Sequence, residues 1–224
     1  MINQLNSRLT EKGIEFTRHY RILKNCSILK KEYDLGPLIE EVYQKLKKGY
    51  DIEKIKTAEP VQKYRNFSWH FLKLDPTKNR PSGEALARRL INSKKIPKIN
   101  PFVDAYNLAS AETFLSLSAY DISKIKIPIS IQFAAQGMKF FGIGGIEITL
   151  DGNELILVDA ENQIITQYLY RDSENTKVTE NSREILLIAN SVNHISDNDA
   201  NFALERTELY LNWMKDNQII EFSS

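Results

Sequence analysis

Asp104, Asn107 and Ser110 recur every third residue along Asn100-Pro-Phe-Val-Asp-Ala-Tyr-Asn-Leu-Ala-Ser110. In a helix that spacing sets them on one face. The Asn107 amide both donates and accepts hydrogen bonds, and the Ser118 hydroxyl can do either. Such groups orient a water molecule or steady a developing oxyanion; they are not strong nucleophiles. The competing reading of Asp104 and Asn107 is a helix-to-loop hydrogen-bond network. No stronger machinery stands elsewhere: the chain has no GxSxG elbow, no HExxH helix and no GxxxxGK[ST] loop. His19, His70 and His194 are scattered without metal-ligand spacing. Gly142-Ile-Gly-Gly145 lacks dinucleotide-loop spacing and runs into a strand-like segment, so it reads as a hairpin turn. No metal and no cofactor is expected.

The elements that must position these residues follow from periodicity. Gly36–Gly49 reads as a helix, with Pro37 in its first turn, a stripe of Leu38, Ile39, Val42 and Leu46, and Gly49 as its stop. Ser82 is placed to cap a helix running to Asn92, with Leu86, Leu90 and Ile91 inward and Arg88 and Arg89 outward. Asn100 caps the next helix, and Pro101 takes its first position. Phe67, Trp69, Phe71 and Leu72 suggest a short buried stretch. Residues 14–29 look like a strand, with Cys26 near its end. From about residue 126 the period becomes two, giving strands over 127–133, 146–150, 155–158 and 164–170. Ile185–Ala189 is a fully apolar strand candidate, and 199–217 an amphipathic helix facing inward through Phe202, Leu209 and Trp213. The order predicts an α+β (mixed α/β) chain. No linker divides it, so one domain over 1–224 is expected, an N-terminal extension (1–65) joined to a core (66–217).

With 224 residues and 42% hydrophobic composition the chain can bury a sizeable core. No apolar run is long enough to span a bilayer. Met1-Ile-Asn-Gln-Leu-Asn is no signal peptide, and a lone cysteine suits a reducing compartment, so a cytoplasmic location is expected. The net charge of +1 hides an asymmetry. Residues 1–112 hold 22 Lys and Arg against 13 Asp and Glu, and residues 113–224 hold 8 against 16. The basic half could hold a phosphate backbone or simply be a solvated surface.

Three segments carry a resemblance. Asp75-Pro-Thr-Lys-Asn-Arg-Pro-Ser-Gly-Glu-Ala-Leu-Ala-Arg-Arg-Leu90, Ile96-Pro-Lys-Ile-Asn-Pro-Phe-Val-Asp-Ala-Tyr-Asn-Leu-Ala-Ser110 and Leu117-Ser-Ala-Tyr-Asp121 resemble the aminoacyl-tRNA editing domain of the phenylalanyl-tRNA synthetase beta subunit. The likeness is greatest to free-standing proteins built from that domain, whose pattern Tyr170-Arg-Asp-Ser-Glu-Asn-Thr-Lys-Val-Thr-Glu-Asn-Ser-Arg-Glu-Ile-Leu-Leu187 also fits. It covers about residues 65–215, and its most specific piece is Val-Asp-x-x-Asn. The resemblance implies a layered α/β sandwich with mixed sheets, helices clustered on one side and a pocket at one end. It implies hydrolysis of a wrongly attached amino acid from the 3′ acceptor end of tRNA. Asn107 and Ser118 would then be catalytic. Asp104, Tyr106, Arg171, Thr176 and Thr179 would hold the amino-acid moiety, ribose or phosphate. Arg88, Arg89, Lys94, Lys95 and Lys98 would contact RNA. No adenylation domain is present, so neither ATP use nor aminoacylation is expected.

The chain departs from the synthetase pattern at three places. Ser118 replaces a histidine. Gln132-Phe-Ala-Ala-Gln-Gly-Met138 lacks the charges of the family's Arg-x-Ala-x-x-Gly-Glu. No glutamate stands around Leu187–Asn190. The synthetase's amino-acid specificity therefore does not transfer. Two alternatives stand beside the hydrolase: a tRNA-binding module without catalysis, and a binder of amino-acid-like small molecules on the same fold.

Overall fold

The computed structural model describes residues 7–16 and 19–223. Met1–Asn6, and Thr17 and Arg18 within the expected strand 14–29, lie outside them. The chain begins with α1 (Ser7–Glu11), β1 (Tyr20–Ile28), α2 (Gly36–Gly49), α3 (Ile52–Ile55) and α4 (Glu59–His70). Then follow α5 (Ser82–Ser93), α6 (Pro101–Thr113), β2 (Leu117–Asp121), β3 (Ser130–Phe133) and the hairpin β4 (Lys139–Gly142) and β5 (Ile146–Thr149). The last elements are β6 (Leu155–Val158), β7 (Ile164–Gln167), β8 (Arg171–Asp172), β9 (Ile185–Ala189), α7 (Asp197–Asp216) and β10 (Ile220–Ser223).

One sheet runs β10-β1-β9-β2 and a second β3-β6-β7-β8, with β4-β5 apart. The chain is α+β, as expected. Every named pairing is antiparallel, however, which the expectation of mixed sheets missed. The continuous apolar run of β9 is explained by its place: β1 and β2 flank it, and all five of its residues are buried. The N-terminal segment supplies β1, so it completes the central sheet. Helices α6 and α7 pack on that sheet and on each other. Glu112 of α6 joins them by accepting from Arg206 Nε at 2.7 Å and from the Tyr210 hydroxyl. Burial pushes the Glu112 carboxyl up, but the Arg206 and Tyr210 hydrogen bonds outweigh it and hold it below the usual range.

α2 keeps its expected bounds and stripe and α6 its expected cap, while α5 differs in its cap and α7 in its face. α2 spans Gly36–Gly49 and buries Leu38, Val42 and Leu46. Asn100 caps α6 by accepting from the Val103 amide at 3.0 Å. Ser82 caps nothing: Pro81 holds the N-cap position of α5, and no side chain bonds there. The stretch around Phe67 is helical, so Phe67 is buried while Trp69 turns to solvent. In α7 the inward face is Ala200, Ala203, Leu204, Thr207, Tyr210, Leu211 and Met214. Phe202 and Leu209 are exposed instead, because small alanines let the helix approach its neighbours closely. Cys26 is buried in β1, and burial pushes its thiol up to about 12, which leaves it inert.

Gly83 shows how tightly α5 and α6 are locked. A Cβ there would lie 2.4 Å from both the carbonyl carbon and the oxygen of Phe114, the residue just after α6. Backbone cannot swing aside as a side chain does. Gly83→Ala should therefore lower the unfolding free energy by about 1–3 kcal/mol, read as a shifted urea midpoint at constant m-value.

Candidate functional site

A cavity of about 490 Å³ opens at the N-terminal end of α6, within the size range of small-molecule sites. The first turns of α6 give it Asn100, Pro101, Val103 and Tyr106. The segment between β1 and α2 adds Lys31 and Tyr33, β2 adds Ala119, and β8 adds Asp172. Ile143 of the β4–β5 turn and the loop Lys177, Val178, Thr179 and Glu180 complete it. Ile28, Ile99, Val103, Ile143 and Val178 make much of the wall apolar, with two phenols, Lys31, Lys177 and Asp172 among them.

Asp172 is one of two carboxyls that line the cavity, with Glu180. Its Oδ1 accepts from the hydroxyl of Tyr120, a fully buried side chain on β2, at 2.9 Å. Burial pushes the Asp172 carboxyl above the usual range, against hydrogen bonds from Tyr120 and Thr166 that lower it. Burial first, then the charges of Asp172 and Asp104, hold the Tyr106 phenol up, so it keeps its proton at neutral pH. Lys31 pairs with Glu180 at 3.1 Å, and Lys177 pairs with Glu174. Glu180 is solvent-exposed, so its pair with Lys31 is weak and exchangeable, whereas Glu174 is only partly exposed.

The structure separates the residues singled out from the sequence. Tyr106 and Thr179 line the cavity. Asp104 stands behind its wall, fully buried: Oδ2 accepts from the Tyr33 hydroxyl at 2.6 Å and Oδ1 from the Ile99 amide at 2.8 Å. It fixes two wall residues rather than meeting a ligand, which is the helix-to-loop network weighed above. Asn107 is half-buried one turn along from Val103, and is not among the lining residues. Ser118 is 3% exposed, and its hydroxyl accepts from Asn190 Nδ2 at 2.9 Å. Thr176 is fully buried against the Ile165 carbonyl. Arg171 donates to the Ile143 carbonyl at 2.9 Å and lies against Gly142, so it anchors the hairpin whose tip forms part of the wall. Asp172, Tyr33, Lys31 and Lys177 went unnoticed in the sequence. Asp172 and Lys177 lie inside the Tyr170–Leu187 run; nothing local pointed to Tyr33.

The expected RNA contacts divide as well. Arg88 turns inward, donating to the Ile52 carbonyl at 2.9 Å and lying 3.8 Å from buried Glu84. Lys94 pairs with Glu40 at 3.1 Å and sits 4.3 Å from the Tyr43 ring centre. Lys98 lies 4.7 Å from the Tyr33 ring centre and donates to the Tyr33 carbonyl. Arg89 and Lys95 are exposed and hold no ion pair among the described residues. The loop with Lys94, Lys95 and Lys98 runs directly into Ile99 and Asn100 on the cavity wall. Another cavity of about 540 Å³, near Phe71, Phe133 and Tyr168, contains none of these residues. No helix among the described residues is long and apolar enough to cross a membrane.

Comparison with known proteins finds similar sequences and folds. The phenylalanine–tRNA ligase beta subunit of Legionella pneumophila (strain Lens) is 28% identical over 92 residues, 41% of this chain. That match covers 12% of the ligase subunit. An N-terminal fragment of the phenylalanyl-tRNA synthetase beta subunit from Pyrococcus horikoshii is 13% identical, with a TM-score of 0.42 over 87% of this chain and 73% of the fragment. The B3/4 domain family matches residues 63–210, from α4 to Tyr210 of α7, taking in α6, β2, Asp172 and the 177–180 loop. By that match the chain belongs to the B3/4 domain family.

Proposed function

We propose that this protein hydrolyses the ester of a mischarged aminoacyl-tRNA, acting in trans, with the aminoacyl group in the cavity at α6. The observation that carries the reading is the Asp172 carboxyl, hydrogen-bonded by the Tyr120 hydroxyl in a largely apolar cavity whose rim bears lysines, while the other lining carboxyl, Glu180, is exposed and paired with Lys31. An aminoacyl ester is already activated, so an oriented water suffices as nucleophile. Asp172 takes a proton from that water as its oxygen bonds to the ester carbonyl carbon. The Tyr106 and Thr179 hydroxyls donate to the developing oxyanion. Collapse of the tetrahedral intermediate breaks the bond to the ribose 3′ oxygen, which recovers the proton from Asp172. Asn107 and Ser118 do not line the cavity and carry no step of this scheme. In this reading Lys31 and Lys177 meet the terminal phosphates, and Arg89 and Lys95 the acceptor stem. Family membership and the relation to a tRNA ligase subunit support tRNA as the partner.

The test is deacylation of a panel of tRNAs, each charged with near-cognate and non-protein amino acids. Turnover of at least one mischarged species above the spontaneous rate is expected. If none turns over while salt-dependent tRNA binding persists, the protein is a tRNA-binding module and the hydrolase reading falls. Arg89→Glu with Lys95→Glu should weaken tRNA affinity evenly across sequences. It should also flatten the slope of log K against log salt by about 1 per residue. Arg88→Glu gives a contrast, since its guanidinium is engaged inside the protein.

A further inference from the structure

Behind the main cavity lies a smaller one of about 230 Å³, floored by Leu35, Ile39, Ile96 and Pro97. Tyr33 is the one residue among those described that lines both. Its ring is held from two sides. The hydroxyl donates to buried Asp104 at 2.6 Å, and Lys98 Nζ lies 4.7 Å from the ring centre. Asp104 in turn holds the Ile99 amide, and Ile99 is part of the main cavity wall. The divider is therefore braced from the second cavity.

We propose that Tyr33 is a specificity-determining residue: its ring closes the back of the main cavity and sets the greatest length of apolar group that can enter. The idea that the group is an aminoacyl side chain rests on the function proposed above; the partition itself holds for any apolar ligand. Tyr33 also lies outside residues 63–210, the part matched by the family. The limit on ligand length is thus imposed by a segment outside the part matched by the family. Truncating Tyr33 joins the two spaces, so longer groups gain a place to go while short ones lose a wall.

Indole and biphenyl, which contain no ester, are the probes, with the full chain titrated and the Val103 and Val178 amide resonances followed. In the unsubstituted protein indole should bind more tightly than biphenyl. Tyr33→Ala combined with Asp104→Asn, which avoids leaving a buried carboxylate without its donor, should shift the ratio toward biphenyl by about 10-fold or more. Tyr33→Phe, made in the same Asp104→Asn background, keeps the ring and should keep the original ratio despite losing the hydroxyl. An unchanged ratio in the Tyr33→Ala double variant overturns the proposal, as does an equal shift in the Tyr33→Phe one or a failure of both probes to perturb those amides. Absence of deacylation would sink the hydrolase reading and leave this result standing.

Discussion

Glu84→Ala should lower the unfolding free energy by about 3–5 kcal/mol, the range for removing one partner of a buried ion pair. The Glu84 side chain has no solvent exposure, and both its oxygens accept from Arg65 Nη1, at 2.9 and 2.8 Å. Arg80 and Arg88 approach the same carboxylate at 4.0 and 3.8 Å. Without the carboxylate, Arg65, itself only 16% exposed, is left beside two further cations. Desolvation and like-charge repulsion then act together. Urea unfolding measures the loss, and the double variant Arg65→Met with Glu84→Leu should recover most of it, because a buried pair is often replaceable by apolar groups of similar volume. A loss below about 1 kcal/mol would mean the pair is no stronger than one at the surface. Its position explains the cost. Glu84 ties α5 to α4 through Arg65, and Arg88 ties α5 to α3 through the Ile52 carbonyl. Both hold the helix that precedes the cavity wall.

That node also shows where reading the sequence succeeds and where it stops. Pro37 and Gly49 bracket α2, Asn100-Pro101 starts α6, and Gly144-Gly145 turns the β4–β5 hairpin, since each signal acts on its own backbone. Arg88 and Arg89 look alike in sequence, yet one bonds a carbonyl 36 residues away and the other faces solvent. Helical periodicity places a side chain on a face; it does not reveal what the face meets. The inward face of α7 was misjudged for the same reason, since bulk pointed to Phe202 and Leu209 while contact selected Ala200 and Ala203. The cavity was the least legible part. Tyr33, Tyr106, Asp172 and Thr179 converge only through sheet pairing and helix packing. In the run Tyr170-Arg-Asp, the cation drew attention as a phosphate ligand, but the Ile143 carbonyl occupies Arg171 and the neighbouring carboxyl reaches the cavity.

Asp172→Asn should lower kcat for deacylation by about 10²- to 10⁴-fold, the usual contribution of a positioned acid–base group, with little change in KM. The amide keeps the shape and cannot take the proton. Acting as a base, Asp172 works only when ionised, so kcat/KM should rise with pH through a value above the ordinary carboxylate range, because burial raises it. The Tyr120 hydrogen bond lowers that value. Tyr120→Phe should therefore move the rising limb to still higher pH, costing most activity in mildly acidic solution. A residue needed only for packing would lower the rate without moving the limb. Stability supplies the control. A carboxyl whose folded-state pKa is raised favours the folded state below its unfolded value and loses that contribution as pH rises through the folded value. Above its folded-state value the ionised Asp172 is thus a net cost to the fold, and there Asp172→Asn should be at least as stable as the unsubstituted chain. Loss of activity with stability intact assigns the proton to Asp172. Full activity in Asp172→Asn, or a limb unmoved by Tyr120→Phe, would take the proton transfer away from this carboxyl.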